Sequence, residues 1–417
     1  MFGSALAGTT TRIAFPEIDI EIDLSLPAGI EPAHSRALVA MSGGVDSSVA
    51  AALLLEAGFD VVGVTFKLWN RKDSDEFFPE AGCCTALDAA DARRVASQLG
   101  IDYYVIDASE LFEAAVVQPF VNGYLDGATP NPCIECNRSI KFDLLLERAD
   151  LLDCQVVATG HHARVIHPAK SDDAGVFPRL LRGRDRHKDQ SYVLYPVKPW
   201  HLSRTVFPIG ELTKEQVRRI ASQLELRTAE KDESQGICFV GRRSIDDFMR
   251  ELGAATKPLR IRLEDGTPLG ESEKSFLTIG QRRGAKGSVG QRLYVKAIDR
   301  RKGEAVLGTR TSLYVAQLEL GRFNWIAGDL PQEKLRTEVC IRYGAEPEPA
   351  TLELIGDDPL YPGTYRALVY FDGEVWAPAP GQAAVCYRGE QVLGGGTIRA
   401  TQLSSPTTAE NSALAPR

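Results

Sequence analysis

The feature that most constrains this chain is the run Leu38-Val39-Ala40-Met41-Ser42-Gly43-Gly44-Val45-Asp46-Ser47-Ser48. Residues 36–41 form a short apolar run suited to a buried parallel strand, and residues 49–55 an alanine- and leucine-rich helical segment with Gly58 placed to end it. A strand that passes straight into a helix needs a tight turn, and two adjacent glycines supply one because no Cβ restricts them. The unsatisfied N–H groups at the start of such a helix, with the hydroxyls of Ser42, Ser47 and Ser48, make a cradle for phosphate or pyrophosphate. No Gly-Lys-Ser/Thr closes the loop, so it is not a Walker A sequence. An ordinary glycine turn before a helix is the plainer alternative.

The same strand-and-helix rhythm continues to about residue 160. Residues 60–65, 102–107 and 155–159 read as strands; residues 87–99, 109–124 and 136–149 read as helices, with Ser109 a candidate N-cap. That alternation predicts an α/β fold, a parallel sheet covered by helices, with ligands at the carboxyl ends of its strands. The phosphate loop lies at one such end and Gly160-His161-His162 at another. A further helix over residues 214–224 starts at Thr213, a candidate N-cap. Residues 241–308 read as a loop-rich, charged region. Beyond residue 312 the stretches 338–343, 366–371, 383–387 and 391–398 are strand-like and separated by Asp372-Gly373, Arg388-Gly389 and similar turns, which predicts a small β-barrel.

With 417 residues the chain can bury two or three cores. It has no apolar stretch of membrane-spanning length, so no membrane association is expected. The first 35 residues hold five acids and one arginine, the wrong balance for a transit peptide, and read as a flexible or loosely docked extension; the tail beyond residue 401 reads as disordered. The net charge of −8 argues mildly against a nucleic-acid-coated surface, but residues 179–188 carry five basic groups against one acid and residues 280–302 eight against one. Local excesses of this kind can track a phosphate backbone, and they can equally be solvated loops.

The eight cysteines are too few for a disulfide scaffold, and a cytoplasmic compartment is expected. In Pro130-Asn131-Pro132-Cys133-Ile134-Glu135-Cys136-Asn137 two thiols sit three apart at a proline-stiffened helix start, where thiolate is stabilised. That suits a positioned nucleophile or a metal ligand; a zinc site would need a second pair, and there is none with similar local spacing. Cys238, in Gly236-Ile237-Cys238-Phe239, is a third candidate. Cys154, Cys340 and Cys386 read as small buried hydrophobes, and the adjacent Cys83 and Cys84 stay undecided.

Ser42-Gly43-Gly44-Val45-Asp46-Ser47-Ser48 resembles the PP-loop of the ATP pyrophosphatases, which cleave ATP to AMP and pyrophosphate. Together with Thr129-Pro130-Asn131-Pro132, Cys136-Asn137, Ala158-Thr159-Gly160-His161, Lys188-Asp189-Gln190-Ser191-Tyr192, Gly236-Ile237-Cys238-Phe239, Thr278-Ile279-Gly280-Gln281-Arg282, Arg342-Tyr343 and Pro380-Gly381-Gln382, in that order over residues 36–400, it is similar to the tRNA-specific 2-thiouridylases. The resemblance implies a PP-loop (adenine nucleotide alpha hydrolase-like) domain over residues 36–240 after an N-terminal extension, 1–35. A small central domain, 241–311, a C-terminal tRNA-binding β-barrel, 312–402, and a tail, 403–417, would follow.

What the resemblance implies about function is ATP-dependent thiolation at carbon 2 of the wobble uridine, with tRNA as partner and AMP and pyrophosphate as products. ATP and Mg2+ would be held by Ala40, Met41, Ser42, Gly43, Gly44, Val45, Asp46 and Ser47, with Phe66 and Gly160 beside the nucleotide. Asn131, Pro132, Cys133, His161, Lys188, Asp189, Gln190, Arg342, Tyr343 and Gln382 match positions beside the tRNA. Cys238 would carry a persulfide and Cys136 would release the sulfur or form a disulfide with Cys238, with a persulfide sulfur-carrier protein or a sulfide donor as a further partner. Alternatively Cys133, Cys136 and Cys238 would hold a 4Fe–4S cluster with one iron open to extra sulfide. A monomer is expected. The competing readings are another ATP pyrophosphatase, such as an amide-forming synthetase that needs no cysteine trio, and a non-enzymatic metal- or RNA-binding module with a decayed loop.

Overall fold

The computed structural model describes residues 9–69, 86–169, 177–232, 236–254, 257–282 and 292–403. Cys83, Cys84 and the tail beyond residue 403 lie outside them.

The first element corrects an expectation. Strands β1 (Thr10–Phe15) and β2 (Ile20–Ser25) pair antiparallel from Thr10↔Ser25 to Phe15↔Ile20. The apolar–acidic alternation of Ile20-Glu21-Ile22-Asp23-Leu24 puts Ile13, Phe15, Ile20, Ile22 and Leu24 on one face, and all five are buried. That face shares a core with Val217, Ile220 and Leu226 and with the first long helix. The hairpin is a packed part of the fold, not a loose extension; the acid count hid a period-2 strand pattern.

Strands β3 (Arg36–Ala40), β4 (Asp60–Lys67), β5 (Asp102–Asp107) and β6 (Val156–Thr159) follow, then a hairpin of β7 (Ala163–Ile166) and β8 (Arg179–Arg182), then the short β9 (Thr205–Val206). Five of these make an all-parallel sheet in the order β5-β4-β3-β6-β9. Strand order reverses between β3 and β6, so a crevice opens at their carboxyl ends. Helix α1 (Val45–Glu56) leaves β3 through the glycine turn and is buried along nearly its whole length. It stops at Ala57, and Gly58 follows in the left-handed conformation (φ 96°), the usual helix-ending geometry. Helix α2 (Ala86–Leu99) precedes β5.

Two helices differ in detail from their sequence reading. Ser109 is the first residue of its helix rather than the cap: the N-cap position is Ala108, and Asp107 accepts from both Ser109 N–H (3.0 Å) and Ser109 Oγ (2.5 Å). The helix over residues 132–151 carries a π register over Cys136–Leu144, the kind of irregularity that concentrates at functional sites.

Residues 241–308 are more structured than their charge suggested. They hold a helix, Ile245–Glu251, capped by Ser244, and strands β10 (Arg260–Leu263), β11 (Pro268–Glu271), β12 (Tyr294–Asp299) and β13 (Glu304–Gly308) in the order β11-β10-β13-β12. Their core is small: Leu259, Ile261, Leu277, Val295, Ala305 and Leu307. Strands β14 (Tyr314–Trp325), β15 (Leu335–Cys340), β16 (Glu348–Asp357), β17 (Tyr365–Trp376), β18 (Ala383–Arg388) and β19 (Gln391–Leu403) then run β14-β17-β16-β15-β18-β19, and β19 pairs back onto β14. Closure of these six strands makes the expected barrel and removes its edges. β8 pairs onto β19 through Leu181↔Gln391, so the barrel sheet continues into the α/β domain.

Candidate active site

The loop after β3 has the geometry of an anion cradle. Gly43 adopts φ 72°, and a Cβ there would meet the Asp88 carbonyl oxygen at 2.2 Å, so no other residue fits. Gly44 is the N-cap of α1. Ser47 Oγ accepts from Ser42 N–H (3.0 Å) and lies 3.2 Å from Ser42 Oγ, while Ser48 Oγ donates to Gly44 O (2.9 Å). Gly160, at the end of β6, comes up against α1: a Cβ would stand 2.5 Å from Ser47 N. Ala40, Met41 and Phe66 line the strand ends beneath, with Met41 and Phe66 buried.

Three basic side chains that the sequence reading missed surround this loop. Asp46 binds Lys214 Nζ through both oxygens (2.7 Å each) and approaches His162 Nε2 at 3.3 Å. Burial pushes the Asp46 carboxyl up, but His162 and Lys214 outweigh it and hold its pKa below the ordinary value. Lys214 opens the helix Lys214–Gln223, whose start is fixed by a capping box between Thr213 and Gln216. On the other flank Lys231 donates to Gly43 O (3.1 Å), Asp88 (2.8 Å) and Asp91 (2.7 Å). Burial lowers the Lys231 pKa and the two carboxylates more than offset it, so it stays charged. Two ion-paired ammonium groups thus flank the loop and fix its shape.

The turn that carries Cys133 and Cys136 is held from several directions. Asn131 caps its helix by accepting from Cys133 N–H (3.1 Å), and Pro132 is buried at the first helical position. Cys133 is exposed, Cys136 buried and Cys238 half-buried. Cys136 belongs to the apolar cluster against which Cys238 packs. Among the described residues no three His, Cys, Asp or Glu side chains are placed to hold a metal ion.

The barrel supplies the other wall. Gln382 Nε2 donates to Thr129 O (2.6 Å), and Thr129 N–H donates to Pro380 O (2.8 Å). Thr129 also bonds Thr278, in the loop between β11 and β12 (3.3 Å). Gly280 stands beside Arg342, which donates to Ala377 O (2.5 Å) and lies over the Trp376 ring at 5.2 Å. Tyr343 is 52% exposed and meets Tyr192 edge-on. Gln190 ties this region back to β6: its N–H donates to His162 O and its Oε1 accepts from His162 N–H, each at 2.9 Å. Asp189 caps the next turn through Gly183 N–H and Ser191 (3.0 Å each); Lys188 beside it is half-buried. His161 points inward, 2.7 Å from Thr159 Oγ1 and stacked on Phe142, and burial depresses its pKa well below the usual value. Hydrogen bonds and ring contacts thus tie together segments far apart in the chain.

A parallel α/β domain with a phosphate loop at its switch point, joined to a closed β-barrel, defines a nucleotide-using enzyme with a docking domain. Residues 35–242 match the family model described as "tRNA methyl transferase HUP domain", and residues 315–398 the one described as "Aminomethyltransferase beta-barrel domain". A relative from Carboxydothermus hydrogenoformans, named tRNA-specific 2-thiouridylase MnmA, is 45% identical over 88% of this chain and 98% of its own length. Another of that name from Pelotomaculum thermopropionicum is 42% identical over 88% and 98%. The chain belongs to the tRNA-specific 2-thiouridylase family. The HUP match begins at residue 35, after the N-terminal hairpin. No described helix is long and apolar enough to cross a membrane.

Proposed function

We propose that this protein thiolates carbon 2 of the wobble uridine of tRNA at the expense of ATP. The observation that carries the reading is that Pro380 and Gln382 of the barrel hold Thr129 at the start of the cysteine turn, while Cys136 and Cys238 share one apolar cluster with Phe66 at the end of β4. Mg2+–ATP is the substrate form. Ser42, Gly43, Gly44, Val45, Asp46 and Ser47 hold the departing pyrophosphate, with Lys214 on Asp46 and Lys231 on Gly43 O fixing the shape of the loop; Ala40, Met41, Phe66 and Gly160 border the nucleotide. Uracil O2 attacks the α-phosphorus and pyrophosphate leaves, which turns a poor leaving group into AMP.

The terminal sulfur of a Cys238 persulfide then attacks carbon 2 and AMP departs with the oxygen. Cys136 thiolate attacks Cys238 Sγ; the sulfur–sulfur bond breaks towards the nucleoside, leaving 2-thiouridine and a Cys136–Cys238 disulfide for an external thiol to reduce. Asn131, Pro132, Cys133, Lys188, Asp189, Gln190, Arg342, Tyr343 and Gln382 border the RNA, with His161 supporting the wall from behind. The target base must be flipped out, since carbon 2 is inaccessible within a stack. The reading includes a monomeric, cytoplasmic enzyme whose Cys238 thiolate takes the outer sulfur from the persulfide of a carrier protein, leaving the carrier's thiol and needing no oxidant.

The test is nucleoside mass spectrometry of unmodified tRNA incubated with enzyme, ATP, magnesium and a low-molecular-weight persulfide, beside Cys136→Ala and Cys238→Ala. ATP-dependent 2-thiouridine, lost in both variants, is expected. AMP release into another acceptor without thiolated product would overturn the reading in favour of a synthetase. Stoichiometric iron and labile sulfide in anaerobic protein, lost in the same variants, would replace the persulfide route by a cluster.

A further inference from the structure

Arg322 stands where the barrel bends towards the cysteine helix. The pairing of β14 slips there, between Leu320 and Phe323 against β17 and between Gly321 and Asn324 against β19. Arg322 itself adopts φ 48°, a left-handed conformation that is strained for a residue with a Cβ. Bulges of this kind re-aim a side chain out of the regular alternation. The strain is held in place by Asp358, which is buried and accepts from Arg322 N–H (2.6 Å) and from Arg399 (2.6 Å).

The re-aimed guanidinium lies over the Tyr361 ring at 4.7 Å and donates to Glu135 Oε1 at 2.8 Å. Glu135 immediately precedes Cys136 and follows Cys133 by two positions. Its second oxygen lies 3.5 Å from Nε of Arg138, whose Nε has no hydrogen-bond partner. One carboxylate is therefore shared by two largely covered arginines, one from the helix itself and one from the barrel. At the other end of the same turn, Gln382 and Pro380 of the barrel hold Thr129.

We propose that Arg322 is a positioning residue for Cys136: through Glu135 it fixes the rotation of the π-registered helix, so that the barrel sets where the Cys136 thiol points. The left-handed residue in β14 is retained because only that backbone turn brings the guanidinium across the domain boundary. The bulge, the ion pair and the two-ended grip on residues 129–135 then have one explanation. The inference rests on the thiolation reading, in which Cys136 must reach the sulfur on Cys238.

The experiment compares full-length Arg322→Met, Glu135→Gln, the double variant and Arg322→Lys, each confirmed as folded by its thermal melt. Two quantities are read: the single-turnover thiolation rate at saturating ATP and tRNA, and the iodoacetamide labelling rate of Cys136, resolved by peptide mass spectrometry. Each single loss should cut thiolation by about tenfold or more, the scale of a small misplacement of a reacting group, and shift Cys136 labelling while Cys133 labelling and the KM for ATP stay put. The double variant should be no worse than the worse single, and Arg322→Lys should recover part of both. Wild-type labelling of Cys136 in both singles, or losses that multiply in the double variant, overturns the proposal. If the wild-type protein makes no 2-thiouridine, the thiolation reading fails, and the labelling comparison still decides the role of Arg322.

Discussion

Among single residues, Gly160 is the sharpest constraint at the nucleotide end of the crevice. A Cβ at this position meets Ser47 N, Asp46 C and Ser47 Cα within 2.8 Å, all backbone atoms of the phosphate loop that cannot swing aside. Gly160→Ala should push α1 away from β6 and raise the KM for ATP by about tenfold or more, since phosphate-binding N–H groups tolerate little displacement. Isothermal titration with a non-hydrolysable ATP analogue checks this; affinity within twofold of wild type would mean that the loop yields more than its packing suggests. The glycines and serines of the loop were legible in the sequence because they are contiguous. Lys214 and Lys231 were not: they reach the loop from 168 and 188 positions away, and nothing local distinguishes them from any solvated lysine. His161 was legible as a position and misleading as a side chain, because burial behind Phe142 cannot be read from its neighbours in the chain.

At the scale of elements, the N-terminal hairpin shows what a count of charges conceals. Ser25, at the end of β2, bonds His167 twice, through His167 N–H (3.1 Å) and Nδ1 (3.3 Å), while His167 Nε2 lies 3.2 Å from Leu202 O. Burial drives the His167 pKa from 6.5 down to about 4, despite hydrogen bonds that raise it. A histidine held neutral in the fold and free to protonate in the unfolded chain stabilises the fold fully above pH 6.5, and that stability is lost as pH falls towards 4. The full shift corresponds to roughly 3 kcal/mol. Urea unfolding of the wild type should therefore weaken across that interval by about this amount more than that of His167→Gln, whose side chain does not titrate. Parallel pH curves for the two proteins would remove His167 from the account. Strands β3 to β6 and α1 were readable because each is a single apolar run of the right length, whereas the two-residue β9 was not. The central strands were not, since four- to six-residue strands with one charged face look like loops until β10 and β13 are brought side by side.

Over the whole molecule, the question is how a chain of net charge −8 binds a polyanion. The basic run over residues 179–188 suggests a large electrostatic contribution, but the fold consumes part of it. Arg182 lies over the Tyr387 ring at 4.0 Å, and Arg186 pairs with Glu390, which also holds Arg164. These contacts fasten the β7–β8 hairpin to the barrel: Glu390 offsets the charge of Arg186, and Arg182 keeps its charge but is held on the Tyr387 ring. Arg342 likewise spends one donor on Ala377 O and its face on Trp376. The salt dependence of tRNA binding should accordingly be shallow for so basic a segment, with a log–log slope of about −2 to −4 rather than one unit for every basic residue in the two runs. Lys188→Ala should reduce that slope by about one unit, whereas Arg186→Ala should leave it nearly unchanged and lower the melting temperature instead. Filter binding between roughly 50 and 200 mM salt measures both. A slope unaltered by Lys188→Ala would place the phosphate backbone elsewhere. A slope reduced by Arg186→Ala would mean that the Glu390 pair opens when RNA binds, and that the hairpin joint moves with the substrate.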